Sequence, residues 1–196
     1  MKIGKLCPGG RILSGIGTDM PMTLIVLGPS ENNDSVILLS EEALTRGPIM
    51  SPRRAGSYFY SGIDNYLETD FVRILPQPLR QSLVETQIRI SKNLAQGEIV
   101  ISNNRSVFLP SMYELGFGYA SREGLSYEDG LKACFGVGNN QSARIAKPLG
   151  HYNSCRYWTR SLANDGKYYC VGSDGDSYAV GKAALISGCG PVFLCR

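Results

Sequence analysis

The sequence predicts an α+β domain with small antiparallel sheets, two helices and a long loop-rich C-terminal third. Three observations predict it. The first third holds two apolar runs joined by a polar turn. The middle holds apolar residues at helical spacing behind N-capping residues. From Gly136 to Gly190 the chain is dense in Gly, Asn, Ser, Asp and Tyr, and no helical pattern of useful length occurs. A chain of 196 residues fits one domain, here 1–196. It divides into an N-terminal hairpin region at 1–60, a helical scaffold at 61–116 and a recognition region at 117–196.

Taken in order, Arg11-Ile12-Leu13 reads as a strand set off by Gly9-Gly10 and Gly15. Residues 22–28 are a β-branched run ending in the turn signal Gly28-Pro29-Ser30. After the polar turn 31–34, residues 35–40 form a second apolar run, and the two predict an antiparallel hairpin. In 61–72, Ile63, Tyr66, Leu67 and Phe71 fall on one helical face. Ser61 is the expected N-cap, and Asp64 stands where a capping box places its acid. A short helix with Pro at its start is expected over 78–85, carrying Leu79, Leu83 and Val84. Residues 86–90 alternate as a strand, with Ile88 and Ile90 opposite Gln87 and Arg89, and 98–101 form another. In 107–116 a strand runs into a helical turn capped by Ser111, with Glu114 as the reciprocal cap partner rather than a catalytic acid. Further strands are expected at 157–160, 167–171, 178–180 and 192–194, divided by turns at 164–166, 173–176 and 188–191. No fixed-period repeat suggests a solenoid.

Composition narrows the function. With 43% hydrophobic and 19% charged residues the chain is globular rather than disordered. A net charge of +3, from 20 basic and 17 acidic residues, is too balanced for a dedicated nucleic-acid binder. The apolar runs fall far short of the roughly 20 residues that span a bilayer. The N-terminus lacks the apolar core and small-residue cleavage site of a secretory signal, so none is expected.

The six cysteines (Cys7, Cys134, Cys155, Cys170, Cys189 and Cys195) contain no C-x-x-C pair, and without a signal they read as small buried hydrophobes. The single histidine, His151, lies four residues from Cys155 in a Gly/Asn/Ser segment, which is not a recognisable catalytic spacing.

Five blocks in order carry a family resemblance. They are the apolar run 35–40; Gly62-Ile63-Asp64-Asn65-Tyr66-Leu67; the segment 107–116 with its Val-Phe-Leu-Pro-Ser-x-x-Glu pattern; Tyr157-Trp158-Thr159-Arg160-Ser161; and Gly190-Pro191-Val192-Phe193. The chain resembles an uncharacterised domain family common in Gram-positive bacteria and their phages, related to the C-type-lectin-like fold shared with formylglycine-generating-enzyme domains. Gly190 stands where that family tends to carry an arginine. The resemblance implies a lectin-like domain in which the first and last strands pair and irregular loops are held on a rigid base. It implies a non-enzymatic phage virion protein, a tail or fibre adhesin or a capsid decoration protein, found in the particle and acting as a homo-oligomer. Its partners would be other virion proteins and a host surface protein or glycan, with no nucleic acid, membrane insertion or cofactor.

Tyr supplies contact area at low entropic cost, and Ser, Gly and Asn supply adaptable hydrogen bonds. On that reasoning the expected contact residues are Tyr152, Asn153, Arg156, Tyr157, Asn164, Asp165, Lys167, Tyr168, Tyr169, Asp174, Asp176 and Tyr178. Trp158 is expected in the core, and Arg160 is either a buried structural arginine or a surface contact. Three other chemistries find some of their ingredients in the sequence. A formylglycine-generating-type oxidase would need Cys189 and Cys195 to meet across an intervening strand. Calcium could use Asp165, Asp174 and Asp176, although Asp-Gly pairs form turns without metal. Cell-wall hydrolysis would need two converging carboxylates among Glu114, Glu123, Glu128 and Asp129.

Overall fold

The computed structural model describes residues 10–16, 20–29, 34–44, 58–94, 97–112, 114–115, 117, 147–148, 153–162, 167–180, 188–189 and 192–195. The apolar runs of the first third become β1 (Arg11–Ile16), β2 (Met20–Pro29) and β3 (Val36–Ser40), with a two-residue β4 (Glu42–Ala43) after them. β2 is antiparallel to both β1 and β3. Met22, Leu24 and Val26 are fully buried while Thr23, Ile25 and Leu27 are half-buried, the period of two expected of a strand with one face on the core. A bulge between Val26 and Gly28 shifts the register against β3. The outermost strand, β1, is tied down by Arg11, which donates two hydrogen bonds to the Glu41 carboxylate at 3.0 and 2.9 Å.

The helical run is α1 (Gly62–Tyr66), a π-helical turn (Leu67–Phe71) and α2 (Val72–Ile74), followed by α3 (Gln77–Ser82). Ile63, Leu67 and Phe71 form its buried stripe. Ser61 caps α1 by accepting from the Asp64 amide at 3.1 Å. The short helix ends earlier than its apolar residues suggest. Leu83 and Val84 leave it to form β5 (Leu83–Val84), because their backbone pairs with the last strand. β6 (Thr86–Leu94) and β7 (Gly97–Arg105) make a nine-pair antiparallel ribbon, with Ile88 and Ile90 buried and Gln87 and Arg89 exposed, as the alternation predicts. β8 (Val107–Phe108) follows directly.

The C-terminal third contributes β9 (Lys147–Pro148), β10 (Tyr157–Leu162), β11 (Tyr168–Val171), β12 (Ser177–Val180), β13 (Gly188–Cys189) and β14 (Val192–Cys195). β14 enters the N-terminal sheet. One edge pairs with β3, and the other is shared end to end by β8 and β5. The expectation that the first and last strands pair is therefore corrected: β1 lies at the sheet's outer edge, and the last strand pairs with β3. A second sheet has the order β12-β11-β10-β13. The sheets are largely antiparallel, but β10·β13 and β4·β9 run parallel, since long connections bring their second strands back in the same direction.

One cluster of buried apolar side chains runs from Met22 to Cys195 and includes Trp158 and Tyr168, so both main sheets share a core. Each such side chain stabilises the fold by about 1.5–3 kcal/mol. Trp158 lies in this core, as expected. No helix among the described residues is long and apolar enough to cross a membrane.

Candidate functional site

Charged groups are built into the interior around one segment, 105–115. Asp64 is buried and accepts from Arg105 Nε and Nη2, both at 2.7 Å. Glu68 Oε1 accepts from the consecutive amides of Ser106 and Val107 at 2.8 and 2.9 Å. The capping box closes as expected: Ser111 N–H donates to Glu114 Oε2 at 2.8 Å, and Glu114 N–H donates to Ser111 Oγ at 3.0 Å. Arg160, 0% exposed, reaches the same carboxylate from β10. Its Nη1 and Nη2 bond Glu114 at 2.5 and 2.7 Å, Nη1 also bonds the Leu109 carbonyl at 2.8 Å, and the guanidinium lies 5.5 Å from the Phe108 ring centre. The open choice for Arg160 resolves to a buried structural arginine.

Tyr58 accepts at its hydroxyl from the Leu109 amide at 3.2 Å. Burial first, and the Asp64 charge second, push this phenol well above its ordinary range. These carboxylates are engaged by guanidinium and backbone N–H donors. They bind segment 105–115 to the helix on one side and to β10 on the other. Glu123, Glu128 and Asp129 lie outside the described residues.

The tyrosines expected at the surface divide. Tyr157, Tyr168 and Tyr169 are buried, which corrects their assignment as contacts. β11 is an inner strand between β10 and β12, and all four of its residues are covered. Tyr168 meets Trp158 edge-on at 6.3 Å, and burial raises its hydroxyl well above the ordinary phenol range. Tyr152, Asn164, Asp165 and His151 lie outside the described residues. Asn153, Arg156, Lys167, Asp174, Asp176 and Tyr178 are exposed.

The β11–β12 turn gathers four of these six. Gly172 N–H donates to the Asp176 carbonyl at 2.7 Å, and Gly175 adopts φ 82°, which favours glycine. Tyr178 donates its hydroxyl proton to Asp174 Oδ2 at 2.5 Å, and Asp174 Oδ1 accepts from the Asp176 amide at 3.1 Å. Asp176 Oδ1 accepts from Ser177 N–H at 2.7 Å. The Arg156 guanidinium stands 5.4 Å from the Tyr178 ring centre, because Tyr157 pairs with Val171 beside this turn. The Tyr178 bond, with help from the Asp176 amide, holds the Asp174 carboxyl below its ordinary value, and the same bond raises the Tyr178 hydroxyl. A side chain on Gly172 would collide with Asp174 and Tyr178, so this latch requires glycine. Lys167 precedes Tyr168, at the other end of β11.

Sequence reasoning passed over Tyr60. It is the described non-glycine residue with positive φ, at 66°, and it is 60% exposed. For a bulky residue that conformation costs about 1–3 kcal/mol and persists only where neighbours over-determine it. A signal was present: Tyr60 closes a Tyr58-Phe59-Tyr60 run directly before the Ser61 cap.

Cys155, Cys170 and Cys195 are buried free thiols, each pushed up by burial to about 11. Among the described residues no group of three or more His, Cys, Asp and Glu side chains is placed to hold a metal ion.

A family described as a domain of unknown function, DUF6273, matches residues 33–192. The chain belongs to this family. No curated protein and no solved structure was found to match it. The DUF6273 match begins shortly before β3 and ends at the first residue of β14, so β1 and β2 precede it. Within the DUF6273 span, the first described strand, β3, is antiparallel to the last, β14.

Proposed function

We propose that this DUF6273 domain is a non-enzymatic binding module of C-type-lectin-like build, a component of a phage particle. Its contact surface is the β11–β12 turn with Arg156. The observation that carries the reading is the latched cluster of Arg156, Tyr178 and Asp174: a tyrosine 38% exposed, with an arginine at its ring and a carboxylate on its hydroxyl, beside the buried strands β10 and β11. Such a ring presents contact area that loses little freedom on binding, and a rigid base under an irregular turn suits recognition. The pairing of β3 with β14 inside the family span supports the lectin-like part of the reading, since it brings the ends of that span together. The buried carboxylates and high-pKa thiols support binding over acid–base or thiol chemistry. Its partners are other virion proteins and a host surface protein or glycan, and repetition in a symmetric particle raises weak contacts by avidity.

Mass spectrometry of particles purified from lysates of cells carrying the gene tests this. Stoichiometric presence is expected. Enrichment in cytosol with absence from particles would overturn the virion reading and favour a bacterial house-keeping role. Tyr178→Ala with Arg156→Ala is expected to abolish incorporation into particles, or their adsorption to cells, while leaving the melting midpoint close to wild type.

A further inference from the structure

The β11–β12 turn holds one arginine in place and leaves its donors unused. Among the described residues, Arg11, Arg73, Arg105 and Arg160 pair with carboxylates, and Arg80 donates to the Arg73 carbonyl at 3.3 Å. Arg156 is exposed and makes no hydrogen bond or ion pair among those residues, although Asp174 and Asp176 stand on the adjoining turn. Those carboxylates are occupied within the turn. Asp174 accepts the Tyr178 hydroxyl at one oxygen and the Asp176 amide at the other, and Asp176 accepts the Ser177 amide. Arg156 is supported instead by the Tyr178 ring, whose centre lies 5.4 Å from its guanidinium carbon. That ring is pinned twice. Its hydroxyl is bonded to Asp174, and its edge lies against Gly172, where an added Cβ would come within 2.4 Å of Tyr178 Cε2.

We propose that Arg156 is the receptor for a carboxylate, an Asp or Glu side chain of a protein partner. The inference rests on the reading of this turn as the contact surface and names the chemistry that surface takes. A guanidinium presents a planar fork of N–H donors that matches an anion with two oxygens. Attraction to a ring spends none of those donors on an acceptor. Carboxylate is favoured over phosphate by the neighbours. Asp174 and Asp176 both carry negative charge beside the fork, and they repel a dianion about twice as strongly as a monoanion. A sugar acid brings hydroxyls that need partners, yet the amides of Gly172, Gly175, Asp176 and Ser177 and both Asp174 oxygens are bonded within the turn. An acidic side chain asks for nothing beyond the fork. A cationic ligand meets an Asp174 carboxylate that is already bonded at both oxygens. An exposed ion pair is weak by itself, so the contact depends on repetition in a symmetric assembly.

The test follows the arginine Nε–H signals of the full chain by NMR during separate additions of N-acetylglutamate methylamide, methyl glucuronide, inorganic phosphate and N-acetyllysine methylamide. The glutamate derivative is expected to shift Arg156 saturably, with a dissociation constant on the order of tens of millimolar. Arg73 and Arg80, also exposed, are the internal references and are expected to respond only at higher concentrations. Phosphate and the glucuronide are expected to bind Arg156 several-fold more weakly. Tyr178→Ala removes the support under the guanidinium, so the Arg156 response should weaken several-fold while the melting midpoint stays close to wild type. Four results would overturn the proposal. They are an Arg156 response no stronger than that of Arg73 and Arg80, tighter binding of phosphate or the glucuronide, an undiminished response in Tyr178→Ala, and a Ser177 amide that the lysine derivative moves at lower concentrations than the glutamate derivative moves Arg156. The titration is read on the isolated chain, so it fails or succeeds separately from the presence of the protein in particles.

Discussion

Truncating Glu114 to alanine would strip the carboxylate from a guanidinium that has no exposure to solvent. In the folded protein both oxygens of Glu114 are bound by Arg160, and Oε2 also accepts the Ser111 amide. Removing one partner of a buried pair costs about 3–5 kcal/mol, because the remaining charge cannot be rehydrated. Loss of the reciprocal cap belongs to the same perturbation and is worth about 1 kcal/mol. Glu114→Ala is therefore expected to destabilise by about 4–6 kcal/mol. For a chain of this length the melting midpoint would fall by about 8–24 °C. Glu114→Gln keeps an oxygen for the Ser111 amide and should lose roughly half as much. Combining Glu114→Leu with Arg160→Met removes both charges and should recover most of the loss, as apolar replacement of buried pairs does. Urea unfolding followed by tryptophan fluorescence reads all three, since Trp158 lies two residues from Arg160 on β10. A loss below about 1 kcal/mol for Glu114→Ala, or a double variant no better than the single, would refute the account of the interior charges.

Three further outcomes follow from individual groups. The Tyr168 hydroxyl is buried with no hydrogen-bond partner among the described residues, so Tyr168→Phe should stabilise by about 1 kcal/mol in urea unfolding, whereas Tyr168→Ala should cost about 3–5 kcal/mol. Cys155, Cys170 and Cys195 ordinarily titrate near 9.0 and are raised to about 11 in the fold. The unfolded chain therefore loses these protons first. The associated stability is complete below pH 9 and is lost as pH rises through 11, which an alkaline series of urea midpoints would show. Gly172→Ala should break the Asp174–Tyr178 bond and swing an exposed ring aside, increasing Tyr178 ring exposure by NMR while changing global stability by less than about 1 kcal/mol.

Local pattern made much of this molecule legible. The alternation of Ile88 and Ile90, the Ser61 cap and the Ser111–Glu114 box depend on residues at most four apart, and all three stand in the fold as read. Long-range pairings were not legible. Nothing near residue 192 says that the last strand enters the sheet of the first third, and the Arg105–Asp64 bond joins residues 41 apart. Composition also misled at Tyr168 and Tyr169. A Tyr-rich strand beside polar turns resembles a paratope, but as an inner strand it has no free face. The part of the recognition region that survives, Arg156 with Asp174, Asp176 and Tyr178, sits at a turn that glycine and aspartate had already marked. Tyr60 escaped because no sequence rule places a tyrosine in the left-handed region; the restraint comes from Asp64 and Arg105 together.

The placement of β14 dictates when this protein can finish folding. As it leaves the ribosome, the chain delivers β3, β5 and β8 long before the strand that joins them. Until residues 192–195 emerge, a fully buried apolar strand, β3, keeps one row of amides and carbonyls open to any passing extended segment. A premature stop ahead of Val192 would make that exposure permanent. Such a fragment should collect in inclusion bodies, whereas the longer chain zips shut within itself.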